Sequence, residues 1–330
     1  MSAETGNDCP ENQLPCFAAW RFTDGPRYHA AMINALFIGP GAIGSLLCWQ
    51  WQQRLTPWVY PHRPALTLPR AIIDGADAHP LRWQLWPDDS HDKRIDLVLV
   101  CCKANQVSDA VTPLLGRFAH ATWLLTCNGL GAQQWLANQL PGQVLWGSTT
   151  EGARPLGDGR VQRSGSGQTL IGPAAARSLS DRSFSIGQSL ITPAGPMPIS
   201  WHDDLLPTLW MKLAINAVIN PITAWHGLTN GELLAPTWRA EIEALCAEIS
   251  AVAMAGQQQL PDDLVERVLS VARQTSANHS SMRVDVDAGR ATEIDFINGY
   301  LVRQGYEAGL KTPRLNDWYQ RLLSLQPAQT

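Results

Sequence analysis

The sequence predicts an α/β domain built on a doubly wound parallel sheet, followed by an all-α C-terminal domain. Three observations carry this. From Met32 to about residue 150, short apolar β-rich runs alternate with helical stretches, the pattern of a parallel sheet covered on both faces. The segment GPGAIG follows the first of these runs and opens a helix. From Leu205 to Leu323 the periodicity is almost entirely helical, with breaks near Gly227–Gly231, Gly256–Pro261 and Gly309–Pro313.

The chain's 330 residues suffice for two domains of ordinary size, each with its own core. An apolar fraction of 45% with 16% charged residues excludes a disordered chain. A net charge of −4 gives no reason to expect nucleic acid or an anionic membrane as partner. No apolar run approaches the roughly 18 residues of a membrane span. Seven cysteines without a CxxC pair suit a reducing, cytoplasmic compartment and argue against a disulfide framework or a metal site. The first 31 residues hold Glu4, Asp8 and Glu11 and no basic cluster before an apolar core, so they do not read as a secretory signal. They are expected to be a disordered extension, or untranslated if synthesis starts at Met32. The α/β domain is then assigned to 32–195 and the helical domain to 196–330.

Strands are expected at 35–39, 58–60, 95–102, 121–127 and 144–148, and helices at 42–55, 105–116 and 131–139. Between Ala65 and Trp86 only irregular short strands are expected, broken by Pro69, Gly75 and Pro80. The segment 151–175 reads as a hairpin extending the sheet, with turns supplied by Gly157, Gly159, Gly165 and Gly167. Cys101 and Cys102, adjacent in an apolar strand, read as small core residues rather than a redox pair.

GPGAIG comprises Gly39, Pro40, Gly41, Ala42, Ile43 and Gly44 and fits GxGxxG between a strand and a helix. There the first glycine makes the turn, the second admits a pyrophosphate and the third lets helix pack on strand. The helix N-terminus offers unpaired N–H groups to the phosphates. NAD sites place an acidic residue about 20 positions further on, to hold the ribose. None occurs between Gly39 and Asp74, whereas Arg63 could pair with a 2′-phosphate, which favours NADPH/NADP+. Lys103 stands at the carboxyl edge of the sheet, where ligands of such folds bind. Asn128 also ends a strand, beside glycines that either leave space for a ligand or form an ordinary Asn-Gly turn.

In WMKLAINAVINP (210–221), Lys212, Asn216 and Asn220 recur every four residues and share one stripe of an otherwise apolar helix. By itself that stripe is either solvent-exposed or turned toward a cleft. Pro221 cannot donate a backbone hydrogen bond and disfavours helical dihedrals at Asn220, so a break or kink is expected there.

Taken in order, GPGAIG, VCCKANQVSDA (100–110), NGLG (128–131), GSTTEGARP (147–155), SGSGQTLIG (164–172), WMKLAINAVINPITA (210–224), NGEL (230–233) and SSMRVDVDAGRATEIDFINGYLV (280–302) resemble the ketopantoate reductase (2-dehydropantoate 2-reductase) family. The resemblance runs from about Met32 to Leu323. It implies a Rossmann-type domain followed by a helical domain like the C-terminal domain of 6-phosphogluconate dehydrogenase, with the site in the cleft. It further implies that Lys212 is the general acid and that Glu293 binds a substrate hydroxyl. Asn128, Asn216, Asn220, Asn230 and Ser281 would orient the substrate or Lys212. Gly39, Pro40, Gly41, Ala42, Ile43, Gly44, Arg63 and Lys103, with Asn128 and Glu293, would hold NADPH.

On this resemblance the lysine stripe faces the cleft, its carboxamides hold the amine, and the break at Pro221 aims Asn220 and Asn230 into the site. The implied activity is NADPH-dependent reduction of the small keto acid 2-dehydropantoate to (R)-pantoate, a step toward pantothenate and coenzyme A, in a protein compatible with a homodimer. Two positions depart from the family. Glu151 stands where His is frequent and would add negative charge near the cleft, and Cys127 replaces a more usual Gln or His. The rival readings are a reductase of another 2-keto acid and an NADPH-sensing protein in which Lys212, Asn216, Asn220 and Glu293 are idle.

Overall fold

The computed structural model describes residues 32–61, 68–87, 94–175, 178–193 and 195–327. The expectations for residues 1–31 and for Arg63 lie outside the described residues.

Strand β1 (Ile33–Ile38) shows why the sheet forms. Leu36 and Ile38 pack with Val98, Val100, Trp123 and Leu125 on one face. Ala35 and Phe37 pack with Leu97, Leu99 and Leu124 on the other, so a two-residue period buries both faces. Helix α1 (Ala42–Trp51) stops short of the expected residue 55 because Leu55 already belongs to β2 (Leu55–Val59), which runs parallel to β1. The short strands expected before Trp86 are present and pair as an ordered hairpin, β3 (Ala71–Asp74) and β4 (Asp77–Pro80), turned at Gly75 with φ +59° and ending at Pro80. Next come β5 (Gln84–Leu85), β6 (Leu97–Val100), α2 (Ala104–Val111), β7 (Thr122–Leu125), α3 (Ala132–Gln139) and β8 (Val144–Thr149).

The following elements are β9 (Gly152–Pro155), β10 (Arg160–Gly165), β11 (Thr169–Gly172), α4 (Asp181–Ser189) and β12 (Ile199–Trp201). The main sheet has the order β12-β11-β8-β7-β6-β1-β2-β5, and only the β11–β8 pair is antiparallel. Its last strand lies beyond residue 195. The hairpin expectation for 151–175 needs correction. Only β11 extends this sheet, while β9 and β10 join β3 and β4 in a separate four-stranded sheet, β4-β3-β10-β9. The chain separates them by crossing itself tightly, since a Cβ at Gly167 would collide with the Thr150 backbone.

The helical part comprises α5 (Leu206–His226), α6 (Arg239–Ala255), α7 (Leu264–Gln274), α8 (Ser281–Asp287), α9 (Asn298–Glu307) and α10 (Pro313–Ser324). Helix α5 buries Leu209, Trp210, Leu213, Ala214, Ala217 and Val218 in the same core that contains Leu36 and Ile38. One sheet face therefore continues into the helical core. Helix α5 runs through Pro221 to His226 and closes at left-handed Gly227, φ +64°. The expected break is absent because the Ala217 carbonyl, which lacks an N–H from Pro221, accepts a hydrogen bond from Asn298 Nδ2 at 3.0 Å. Among the described residues no helix is long and apolar enough to cross a membrane.

Candidate active site

The GPGAIG turn lies at the carboxyl end of β1, which has β2 on one side and β6 on the other, where the strand order reverses. Gly39 has φ +70°, and a Cβ there would stand 2.7 Å from Cys102 Cβ. A Cβ at Gly44 would meet Cys101 Cβ at 3.1 Å. At Gly41 the nearest atom would be 3.9 Å away, so the first and third glycines serve the protein and the second leaves open space. Gly41 is the N-cap of helix α1, which has no side-chain cap bond and no acidic residue in its first turn. Its N-terminal N–H groups are available to an anion, and the cradle fits a dinucleotide pyrophosphate. Beside it is a cavity of about 280 Å³ lined by Gly39, Cys102, Asn105, Gln106 and Asp109.

A second constellation gathers at the carboxyl ends of β6, β7 and β8. Lys212 Nζ donates to the Thr149 carbonyl at 2.8 Å. Loss of hydration pushes the Lys212 amine below the ordinary 10.5, and the nearby Glu293 charge opposes that shift. Glu293 Oε1 accepts from the Ala104 N–H at 3.0 Å and the Asn128 N–H at 3.3 Å, and Oε2 accepts from Asn128 Nδ2 at 2.8 Å. A carboxylate from the helical part thus serves the first turn of α2, whose N-cap, Lys103, makes no side-chain cap bond. Burial pushes the Glu293 carboxyl up, against the pull of the Asn128 and Ala104 donors. Burial, then Glu293, raises the Cys127 thiol well above 9.0, so it remains neutral.

The glycine after Asn128 does not leave space for a ligand. A Cβ at Gly129 (φ +77°) would collide with the Phe296 carbonyl, which accepts the Leu130 N–H at 2.9 Å. The space serves the Phe296 backbone instead of a ligand, and this interlock holds Glu293 against Asn128. Lys103 is also drawn into the junction: its Nζ lies 2.7 Å from Asp285 Oδ2 and donates to the Ala291 carbonyl at 2.6 Å.

Asn216 and Asn220 share the stripe of Lys212, yet neither holds the amine; Thr149 does. Asn230 donates through Nδ2 to Thr275 Oγ1 at 3.0 Å and is not swung inward by a break in α5. Ser281 is exposed in the first turn of α8. Glu151 does not present free charge to the cleft, because Arg163 pairs with it through Nε at 2.9 Å and Nη2 at 3.1 Å and the Gly167 N–H adds a third bond. Sequence reasoning missed Thr149, Ala104, Asn105, Gln106 and Asp285. All five lie inside the quoted motifs 100–110, 147–155 and 280–302, but Thr149 and Ala104 act through backbone atoms that no residue type reveals.

The family description "Ketopantoate reductase PanE/ApbA" matches residues 35–176, and its C-terminal counterpart matches 204–326. A 2-dehydropantoate 2-reductase from Vibrio cholerae serotype O1 is 35% identical over 303 residues, covering 89% of this chain and 98% of the relative. The chain belongs to the ketopantoate reductase family. A PanE/ApbA family ketopantoate reductase structure from Ralstonia eutropha JMP134 matches with a TM-score of 0.78 at 22% identity, over 89% of this chain and 98% of that one. D-mandelate dehydrogenase with NADH and anilino(oxo)acetate matches at 0.76 and 18% identity, over 89% and 98%. These two likenesses show the fold alone. Within this ketopantoate reductase family member, the glycine cradle and the Lys212–Glu293 junction lie along the same carboxyl edge of one sheet.

Proposed function

We propose that the protein reduces 2-dehydropantoate to (R)-pantoate with NADPH, Lys212 protonating the carbonyl oxygen. The observation that carries the reading is the partly buried Lys212 ammonium beside Glu293, at the sheet edge that also bears the uncapped glycine cradle. When bound, the nicotinamide supplies a hydride to the keto carbon. Negative charge then grows on the carbonyl oxygen, and Lys212 stabilises that charge and delivers the proton. General acid catalysis of this kind contributes about 10²–10⁴-fold. The depressed pKa makes the ammonium a readier donor, while the Glu293 charge keeps it protonated.

The Thr149 carbonyl fixes where Nζ stands. Glu293 has lone pairs beyond the three bonds it accepts and can take a substrate hydroxyl. The Asn216 and Asn220 carboxamides make no side-chain hydrogen bond among the described residues and are available to the substrate. NADPH is favoured over NADH because β2 is followed by Tyr60 and Pro61, with no carboxylate for a ribose 2′-hydroxyl.

The test is NADPH oxidation with ketopantoate, followed at the nicotinamide absorbance, with NADH and simpler 2-keto acids run alongside. Turnover is expected to be fastest with ketopantoate and NADPH. Faster turnover of a different keto acid reassigns the substrate, and NADPH binding without turnover of any keto acid overturns the enzymatic reading.

A further inference from the structure

The Pro221 ring removes the N–H that would bond to the Ala217 carbonyl one turn earlier and crowds that carbonyl outward. Asn298 Nδ2 meets the carbonyl at 3.0 Å. Asn298 is fully buried, opens α9 and lies in the same segment as Glu293. The next residue cannot shift easily, since a Cβ at Gly299 would stand 2.9 Å from the Tyr319 ring. The Ala217 carbonyl belongs to the turn between Asn216 and Asn220, so the bond fastens the lysine-bearing helix to the glutamate-bearing segment. One turn further on, Thr223 Oγ1 lies 2.7 Å from the Ile219 carbonyl and 2.8 Å from Ser280 Oγ, the N-cap of α8. Helix carbonyls buried without a donor are rare and costly, so this turn depends on its outside partners.

We infer that Asn298 is a positioning residue: its carboxamide replaces the N–H that Pro221 lacks and thereby fixes Lys212, Asn216 and Asn220 relative to Glu293. The inference rests on the roles proposed above for Lys212 and Glu293. Its test is a double-mutant cycle of Asn298→Ala, Pro221→Ala and both together, with kcat on ketopantoate and NADPH affinity measured for each. Misplacement of a catalytic group by about 1 Å costs up to ~10²-fold, so Asn298→Ala is expected to lower kcat roughly 10–100-fold. NADPH affinity is expected to stay within about twofold, the additivity limit for uncoupled sites. In the Pro221→Ala background the restored N–H bonds to Ala217, and Asn298→Ala should cost less than about threefold there.

Equal losses in both backgrounds, or full kcat in Asn298→Ala, overturn the inference. Should Asn298→Ala fail to fold, recovery of folded, active enzyme in the double variant supports it, and failure of that variant overturns it. If the wild-type protein turns over no ketopantoate, the functional reading falls. The same cycle read as thermal midpoints then decides the role of Asn298: a loss on Asn298→Ala that vanishes with Pro221→Ala supports the bond, and one that persists overturns it.

Discussion

At the glycine cradle, six consecutive residues, three between β1 and α1 and three in the first turn of α1, supply the turn, the open space and the helix end. At the Lys212 junction, β8 contributes a carbonyl, the start of α2 an N–H, the loop after β7 a carboxamide, α5 the amine and the segment before α9 the carboxylate. A site made from one stretch of chain can lose its ligand without disturbing the rest. A site made from five stretches exists only while sheet and helices stay registered. The two regions should therefore fail in different ways.

Lys212→Ala should separate them most strongly, lowering kcat by about 10²–10⁴-fold while NADPH still binds. Steady-state rates set against a fluorescence titration of NADPH check both halves, and near-normal turnover would remove the lysine from the chemistry. Gly129→Ala should show how far the junction depends on packing. The new methyl group would collide with the Phe296 carbonyl in a left-handed backbone, so a stability loss on the order of 2–3 kcal/mol is expected in urea unfolding. Gly41→Ala is the converse test. Apart from its chain neighbours, the nearest atom to the added Cβ is the Gly39 carbonyl oxygen at 3.9 Å, so stability should hold while NADPH affinity falls at least about tenfold, or ~1.4 kcal/mol. Equal loss of stability at Gly41 and Gly129 would erase the distinction between the regions.

The same contrast explains what the sequence made legible. The glycine spacing, the apolar strand runs and the four-residue stripe of Lys212, Asn216 and Asn220 are local patterns, and the fold carries them as read. Glu293 and Asn128 meet across 165 positions, which the family resemblance anticipates but the local pattern does not. Gly129 reveals a need for space without revealing that Phe296 fills it. Glu151 shows a charge and not its partner, Arg163 on β10. Pro221 announces a missing hydrogen bond, yet its replacement comes from Asn298 in another helix. The segment 151–175 split between two sheets because β3 and β4, hidden in a stretch with poor periodicity, offered β10 another edge.

The most direct test of the central claim is the pH dependence of kcat/KM in the wild-type protein and in Lys212→Ala. Only the protonated amine can donate, so activity should be high at lower pH and fall as pH rises through the Lys212 pKa. Loss of hydration places that fall below the ordinary 10.5 of a lysine. The wild-type profile should show this limb, and the residual activity of Lys212→Ala should lack it. An identical alkaline limb in both proteins would contradict Lys212 as the proton donor.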